Sequence, residues 1–479
     1  ADAEAVAKTQ SQMLRVLEPS FRAEMDTSST AEPPTVPELI EQLVEESEAA
    51  YADNPAVLAR QLVTFGTTLF ERGASGRADS LFARAIVLRR PLGRDGDPVI
   101  HEALVGRGLI ASGAGDRAAA RGFFREALER AHPQIVEAEG SSTGLFLSGV
   151  LDDPAEREQA LRDVLSERRA TPDSTSIPLA QAHNALGVHF FNEGRYREAY
   201  AEYRASEAIV RRVYGELHPA TNTLRSNLSY ASAEMGRYAD AERHARIALD
   251  AAQRGQLGAP REALLRQAIG QALFFRGRVA EAERELRTAL ATFEGTAGLS
   301  DPQALGVLNS LVVVLAEQGR YAEALAAQRR VQAAALAQDD ATEASGLYSR
   351  VMVAALQFAQ GDRAAAGEAL EGALQTANAL DDPGAITRSI VLLMVGQARA
   401  ARGDAARAEP LLREGLRLVR SAKPDAHWNV LHARLAYGRT LAALGRTDEA
   451  RPRLEAVRGR LRRVSLPTAL EDVDAEIDR

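Results

Sequence analysis

A six-residue block recurs along this chain at a fixed spacing and constrains its fold more than any other feature. It opens on glycine followed by arginine or aspartate and closes on alanine, as in Gly194-Arg195-Tyr196-Arg197-Glu198-Ala199 and Gly236-Arg237-Tyr238-Ala239-Asp240-Ala241. It returns at Gly277-Arg278 with Ala282, Gly319-Arg320-Tyr321 with Ala324, Gly361-Asp362 with Ala366, Gly403-Asp404 with Ala408, and Gly445-Arg446 with Ala450. Upstream it stands at Gly73 with Ala78 and at Gly115-Asp116 with Ala120. The glycines lie 42 residues apart from 194 to 236, 41 from 236 to 277, and 42 at every later step to 445. From 73 to 115 the step is again 42, and from 115 to 194 it is 79, so a degenerate unit sits between, around Asp152-Asp153-Pro154 and a helix running to Arg169. That makes ten units, and a fixed period of this length is the mark of a stacked repeat.

Helical periodicity flanks each block: Leu186, Gly187, Phe190 and Phe191 before the glycine, and Ala199, Tyr203 and Ser206 after it, keep the spacing of one helix face. The glycine ends the first helix in a left-handed conformation that costs it little. A small residue recurs seven positions earlier (Gly66, Gly108, Gly187, Gly270, Gly396, Gly438), where it lets the paired helices approach closely. Neither helix of such a pair buries its apolar stripe alone, so the pairs must stack.

Composition agrees. Alanine, leucine, arginine and glutamate dominate and favour helix, and aromatics are only 5%, against a strand-rich architecture. At 479 residues the chain exceeds one ordinary core and calls for several domains or an elongated array. A net charge of −8 with both signs interspersed offers no basic stripe, which excludes nucleic acid as the expected partner. Lys8 and Lys423 are the only lysines, an imbalance that reads as a genome-level codon bias. The absence of cysteine removes disulfides, thiolate metal sites and cysteine nucleophiles, and leaves the compartment open. No apolar run approaches the ~18–20 residues that span a bilayer. The Ala-Asp-Ala-Glu start, without methionine or apolar signal region, implies a removed signal or a piece of a longer protein.

The pattern Leu186-Gly187, Phe190, Gly194, Tyr196, Ala199, Tyr203 resembles the tetratricopeptide repeat, and Val213-Tyr214-Gly215-Glu216-Leu217-His218-Pro219 resembles the junction of its 42-residue variety. The resemblance covers residues 55 to 460. It implies an all-α, right-handed superhelical α-solenoid of antiparallel helix pairs that binds protein or peptide, without cofactor or metal and without membrane insertion by this chain. The expected organisation is an N-terminal helix and linker over 1–36, an array of about ten pairs over 37–457, and a polar capping helix over 458–479 that starts on Arg458, Arg460, Arg462 and Arg463. Within the leader, Val36 to Ala52 reads as a helix with Asn54-Pro55 as its stop. The stretch from Thr35 to Arg60, with Ala3 to Pro19 before it, is similar to the join between kinase region and repeats in bacterial serine/threonine protein kinases. That similarity implies a bacterial signalling parent, with this chain in the cytoplasm or on the extracytoplasmic face of a membrane-anchored protein; the other reading is a stand-alone regulator that senses a peptide or small molecule.

Several motifs mimic catalytic ones. Gly106-Arg107-Gly108 fits a loose dinucleotide fingerprint but falls mid-helix in the small-residue register, without the strand it requires. Gly140-Ser141-Ser142-Thr143-Gly144 fits a hydrolase elbow with no sheet to carry it, and reads as a polar linker. Kinase motifs and a Walker lysine are absent from the sequence, so no catalytic residue is assigned. His183 and His189, and His427 and His432, are off the i, i+4 face that a helical metal pair needs. Asp152-Asp153 and Asp381-Asp382 precede prolines and read as turns or helix stops.

In tetratricopeptide arrays the first helix of each pair lines the concave face. The resemblance therefore implies ligand-groove positions at Arg60, Thr67, Asn184, Phe191, Tyr230, Gln267, Gln271, Phe274, Asn309, Tyr348, Phe358, Gln397, His432 and Arg439. Amides and aromatics in such a groove hydrogen-bond a peptide backbone and pack its side chains. A lysine clamp for a chaperone's acidic tail is missing.

Overall fold

A computed structural model describes residues 35–92, 97–130, 141–170, 177–296, 301–336, 343–380, 384–423, 425 and 427–464. Among them every regular element is an α-helix except a 3-10 turn at Arg90–Leu92. The expected segment 1–34 and the tail 465–479 lie outside the described residues, as does Asp381-Asp382.

Two compact units divide the chain, Ala1–His189 and Phe190–Arg479. The first contains α1 (Val36–Ala50), α2 (Pro55–Glu71), α3 (Ser75–Arg89), α4 (Pro98–Gly113), α5 (Arg117–Glu129), α6 (Ser141–Val150) and α7 (Pro154–Ala170). It also holds most of α8 (Ile177–Asn192). The second contains α9 (Tyr196–Tyr214), α10 (Pro219–Glu234), α11 (Tyr238–Arg254), α12 (Ala259–Phe275), α13 (Val279–Thr296), α14 (Pro302–Glu317) and α15 (Tyr321–Leu336). It continues with α16 (Glu343–Gln360), α17 (Arg363–Ala379), α18 (Ala385–Ala401), α19 (Ala405–Ala422), α20 (Trp428–Ala443) and α21 (Thr447–Val464).

The repeated glycine is a helix terminator. Gly236 has φ 72°, its N–H donates to Ala233 O at 2.9 Å, and the next N–H, of Arg237, donates to Ser232 O at 2.8 Å. These two bonds satisfy carbonyls that the helix end would leave unpaired, and only glycine adopts the required φ without strain. The longer bond, from the residue after the glycine back five positions, recurs at Ala74, Asp116, Arg195, Arg278, Arg320, Asp362, Asp404 and Arg446.

The earlier small residue sets how closely a pair packs. A Cβ at Gly66, Gly270, Gly396 or Gly438 would stand 2.8, 2.8, 2.6 and 2.8 Å from Phe82, Leu286, Leu412 and Leu454, each sixteen residues on. Gly108 lies in the same way under Phe124. Phe82 is wedged on both edges, Gly66 under one and Gly106 under the other, so Gly106 and Gly108 are packing glycines in the middle of α4. Around these contacts the buried side chains form cores built from Ile40, Leu62, Phe65 and Phe82 in the first unit and Ile269, Leu273, Phe293 and Leu311 in the second.

Three expectations are corrected. Asn54-Pro55 starts a helix: Asn54 Oδ1 accepts from Val57 N at 3.3 Å and Pro55 fills the first position of α2. A proline there loses no bond, because that N–H has no partner within the helix. The same grammar opens α4 at Asp97-Pro98 and α14 at Asp301-Pro302, and Asp153 caps α7 through Ala155 N at 2.9 Å. Next, Ser141–Gly144 is not a linker but the first turn of α6, which packs Gly144 under Val164 of α7. The degenerate unit is therefore a helix pair whose turn, residues 151–153, lacks the glycine and whose contact spacing has lengthened from sixteen to twenty. Finally, α21 runs through Arg458 to Val464 without a break, so residues 458–464 finish the last pair and do not begin a separate cap.

Arginines of the turns tie successive repeats together. Arg320 places Nη1 at 2.8 and 2.9 Å from the Glu283 carboxylate of the preceding pair, and Nε at 2.7 Å from Glu323 of its own. Arg278 joins Glu242 and Glu281 in the same way, and Arg446 joins Glu409 and Glu449. Burial alone would raise the Glu283 pKa, but hydrogen bonds from Gln318, Arg287 and Arg320 overcome it and hold the carboxyl at about 2.

Gly66→Ala should destabilise the first unit. Overpacking costs about 1–3 kcal/mol, more than the ~1 kcal/mol that alanine gains in helix propensity. Gly122→Ala, in open space on α5, should raise the melting temperature or leave it unchanged, with circular dichroism on the full chain as the measurement. For Glu283, the folded pKa lies below the unfolded one. Its stabilisation is therefore complete above about 4.5 and lost as the pH falls toward 2. The melting-temperature gap between the wild type and Glu283→Gln should accordingly narrow over that window.

Candidate functional site

Counting back from each turn glycine shows what the fourteen groove positions share. They fall three, six, ten or thirteen residues before it, which is one face of the first helix of each pair. The position six before is held by Tyr230, Gln271, Val313, Ala355, Gln397 and Arg439 along the second unit. Tyr230 and Val313 are each 38% exposed and so are among the large hydrophobic side chains left at the surface. The row runs from aromatic and apolar side chains at α10 and α14 to an amide and a guanidinium at α18 and α20.

Six of the expected residues come together around two cavities of this unit. One, of about 240 Å³, is walled by Tyr230 and Glu234 of α10, Gln271, Phe274 and Phe275 of α12, Ser310 and Val313 of α14, and by His427. Gln271 Nε2 donates to Ser310 Oγ at 2.9 Å, fixing the amide across two first helices. Phe274 is only 3% exposed and rests edge-on against Phe275, 5.2 Å between centroids, so it supports the cavity from within the core and does not face outward as expected. The other cavity, of about 420 Å³, lies between α18 and α20 and is lined by Gln397, His432 and Arg439 over a floor of Ala400, Ala401, Ala436 and Ala443. Burial and the Arg439 charge lower the His432 pKa, which favours the neutral imidazole.

The remaining positions are more dispersed. Gln267, Asn309 and Tyr348 are partly buried on α12, α14 and α16. Phe191 meets Tyr196 edge to face at 5.3 Å, and Phe358 packs in the core under the Arg402 guanidinium at 5.6 Å. In the first unit, Arg60 pairs with Glu102 at 3.5 Å, the Thr67 hydroxyl turns back onto Val63 O at 3.1 Å, and Asn184 is partly buried on α8.

Sequence reasoning missed Val313, Ser310, Glu234 and His427. Val313 was readable from the register, being six before Gly319. His427 was not, because it reaches this cavity from 193 residues beyond Glu234 in the chain. Within the second unit, Lys423 and His427 come to lie against the end of α10. There Lys423 Nζ lies 2.7 Å from Glu234 Oε2, and His427 Nε2 lies 3.7 Å from the same oxygen. His427 also caps α20, its Nδ1 accepting from Asn429 N at 3.2 Å, so the proton sits on Nε2 and faces Glu234. Among the described residues no group of three His, Cys, Asp or Glu is arranged to hold a metal ion, and no helix is long and apolar enough to cross a membrane.

Such stacked helix pairs, within each unit, define a helical repeat protein. Models of the tetratricopeptide repeat match residues 178–254 and 305–331. No curated protein matches the chain significantly. Among solved structures, the apo form of RapI is 13% identical, covers 76% of this chain and 98% of its own, and superposes with a TM-score of 0.58. The apo form of the quorum sensor NprR from B. thuringiensis is 13% identical, covers 75% and 98%, and gives a TM-score of 0.51. Residues 178–254 and 305–331 are therefore tetratricopeptide repeats, and the described chain shares the all-helical repeat fold of these structures.

Burial pushes the His427 pKa down to about 4, against the attraction of Glu234 and with the help of Lys423. A histidine depressed in this way stabilises the fold above its unfolded pKa of about 6.5 and loses that contribution as the pH falls through 4. An NMR titration should place the His427 midpoint near 4; a midpoint above 6 would contradict its burial against Glu234.

Proposed function

We propose that this chain is a peptide-binding scaffold whose ligand lies along the first-helix face of the second unit. The observation that carries this reading is the pair of exposed apolar side chains, Tyr230 and Val313, at the position six before the turn, on a face whose neighbouring positions hold partly exposed amides. An extended peptide matches that surface. Its backbone finds the amides of Gln271, Asn309 and Gln397, an apolar side chain suits the cavity beside Tyr230 and Val313, and Arg439 suits an acidic group. The likeness to NprR, a quorum sensor, fits a sensing role within a larger regulatory protein. The leader's similarity to kinase-linked arrays gains no support from the matched structures.

Peptides selected from a random display library on the full chain supply the probe. Tyr230→Ala combined with Val313→Asp should weaken selected peptides by about 10-fold or more, as expected for a hot-spot aromatic worth roughly 1.4 kcal/mol or above. Arg284→Ala, at an exposed position on α13, should leave binding unchanged. A library that enriches no sequence, or peptides that bind both variants equally, would remove the groove from consideration.

A further inference from the structure

Of the 58 lysines and arginines in the chain, two are lysines, and one of them occupies a distinctive place. Lys423 sits at the end of α19 with its ammonium 2.7 Å from Glu234 and 5.7 Å from the ring centroid of Tyr196. The side chains of Lys423 and Glu234 are 20% and 23% exposed, more enclosed than most ion pairs of this protein. Among the described residues the other paired cations are arginines, apart from His189 beside Glu158, often with two nitrogens on one carboxylate, as Arg399 holds Glu371 at 2.7 Å through both Nε and Nη2. A carboxylate beside an aromatic face is a niche for a compact ammonium, attracted by charge on one side and by the ring quadrupole on the other. A codon bias accounts for the arginines and leaves unexplained why the repeats keep their single lysine here.

The niche opens onto the smaller cavity. Glu234 and His427 line both, and Tyr230, Phe275 and Val313 supply the apolar wall next to them. The His427 Nε2 also lies 3.7 Å from the Glu234 carboxylate, and with that imidazole neutral the carboxylate's charge is balanced by one ammonium, here that of Lys423.

We infer that Glu234 and Tyr196 form a recognition site for a primary ammonium group, a lysine side chain or a peptide's N-terminus, on a ligand with a neighbouring apolar side chain, and that Lys423 fills it as an internal surrogate. This rests on the groove reading above and adds to it the chemistry of one subsite. Lys423 is held within the same unit as the site, so it competes at a high effective concentration and an incoming amine must displace it. Binding is then coupled to release of the α19–α20 connection from α10.

The test uses the full chain and two small probes, N-acetyl-lysyl-phenylalanine amide and its norleucyl analogue, which differ only in the ammonium. Isothermal titration should show the lysyl probe binding Lys423→Met at least ~10-fold more tightly than the wild type, since the internal competitor is gone. On Lys423→Met it should also exceed the norleucyl probe by ~10-fold, and Glu234→Gln added to that variant should abolish the difference. Circular dichroism melts establish that both variants are folded, and Lys423→Gln, which also removes the internal cation but can hydrogen-bond Glu234, serves as a milder replacement if Lys423→Met is not. Equal binding of the two probes to Lys423→Met, no binding of the lysyl probe up to its solubility limit, or indifference to Glu234→Gln would each overturn the assignment. Tyr230→Ala separates the two ideas. If it weakens both probes alike and neither is preferred, the groove stands without the ammonium site; a lysyl preference that ignores Tyr230→Ala keeps the site and discards the groove.

Discussion

The backbone of one helix lying directly beneath a bulky side chain of its partner is the contact on which the remaining architecture depends. Where Gly66 meets Phe82, or Gly396 meets Leu412, the missing Cβ lets two helices close to a distance at which the aromatic ring or leucine is wholly enclosed. A hole that a methyl group would fill is a steric instruction. It fixes the pairing, the depth of the crossing and the residue that must answer it sixteen positions later. Because interiors are packed to crystal-like density, the answer cannot drift without strain.

Stacking of one pair on the next is secured differently. Turn arginines reach back to a glutamate of the preceding second helix while gripping a glutamate on their own, as Arg320 does with Glu283 and Glu323. Single exposed ion pairs contribute little, but a shared, half-buried carboxylate such as Glu283 belongs to a network whose members orient one another. These links run along the second helices and the turns. On the first helices, part of the face is tied as well, by Gln271 to Ser310 and Arg60 to Glu102, while Tyr230 and Val313 stay exposed.

Much of this could be read from the chain alone. The turn glycines and the small residues seven before them recur in register, and both reflect local steric demands that a single sequence displays. The face of the first helix was legible for the same reason, since its positions are fixed by counting from Gly236, Gly319 or Gly445. What escaped was whatever departed from the count or closed over long distance. The pair at α6 and α7 replaces its glycine turn with residues 151–153, so Ser141–Gly144 looked like a linker. Phe274 occupies a groove register yet is buried, while Phe275 beside it stays partly exposed. The approach of Lys423 to Glu234 joins residues far apart in the chain, and no local pattern announces it.

The row of residues six before each turn works like a set of interchangeable type. Tyr230, Gln271, Val313, Ala355, Gln397 and Arg439 are unlike one another in size and charge, although the helices carrying them are built to a common plan. The slots differ while the turn glycines and the bulky side chains over the packing glycines recur. A lineage of such chains is therefore free to respell this line one letter at a time and change what the surface reads, while the glycine contacts that hold the page together stay as they are.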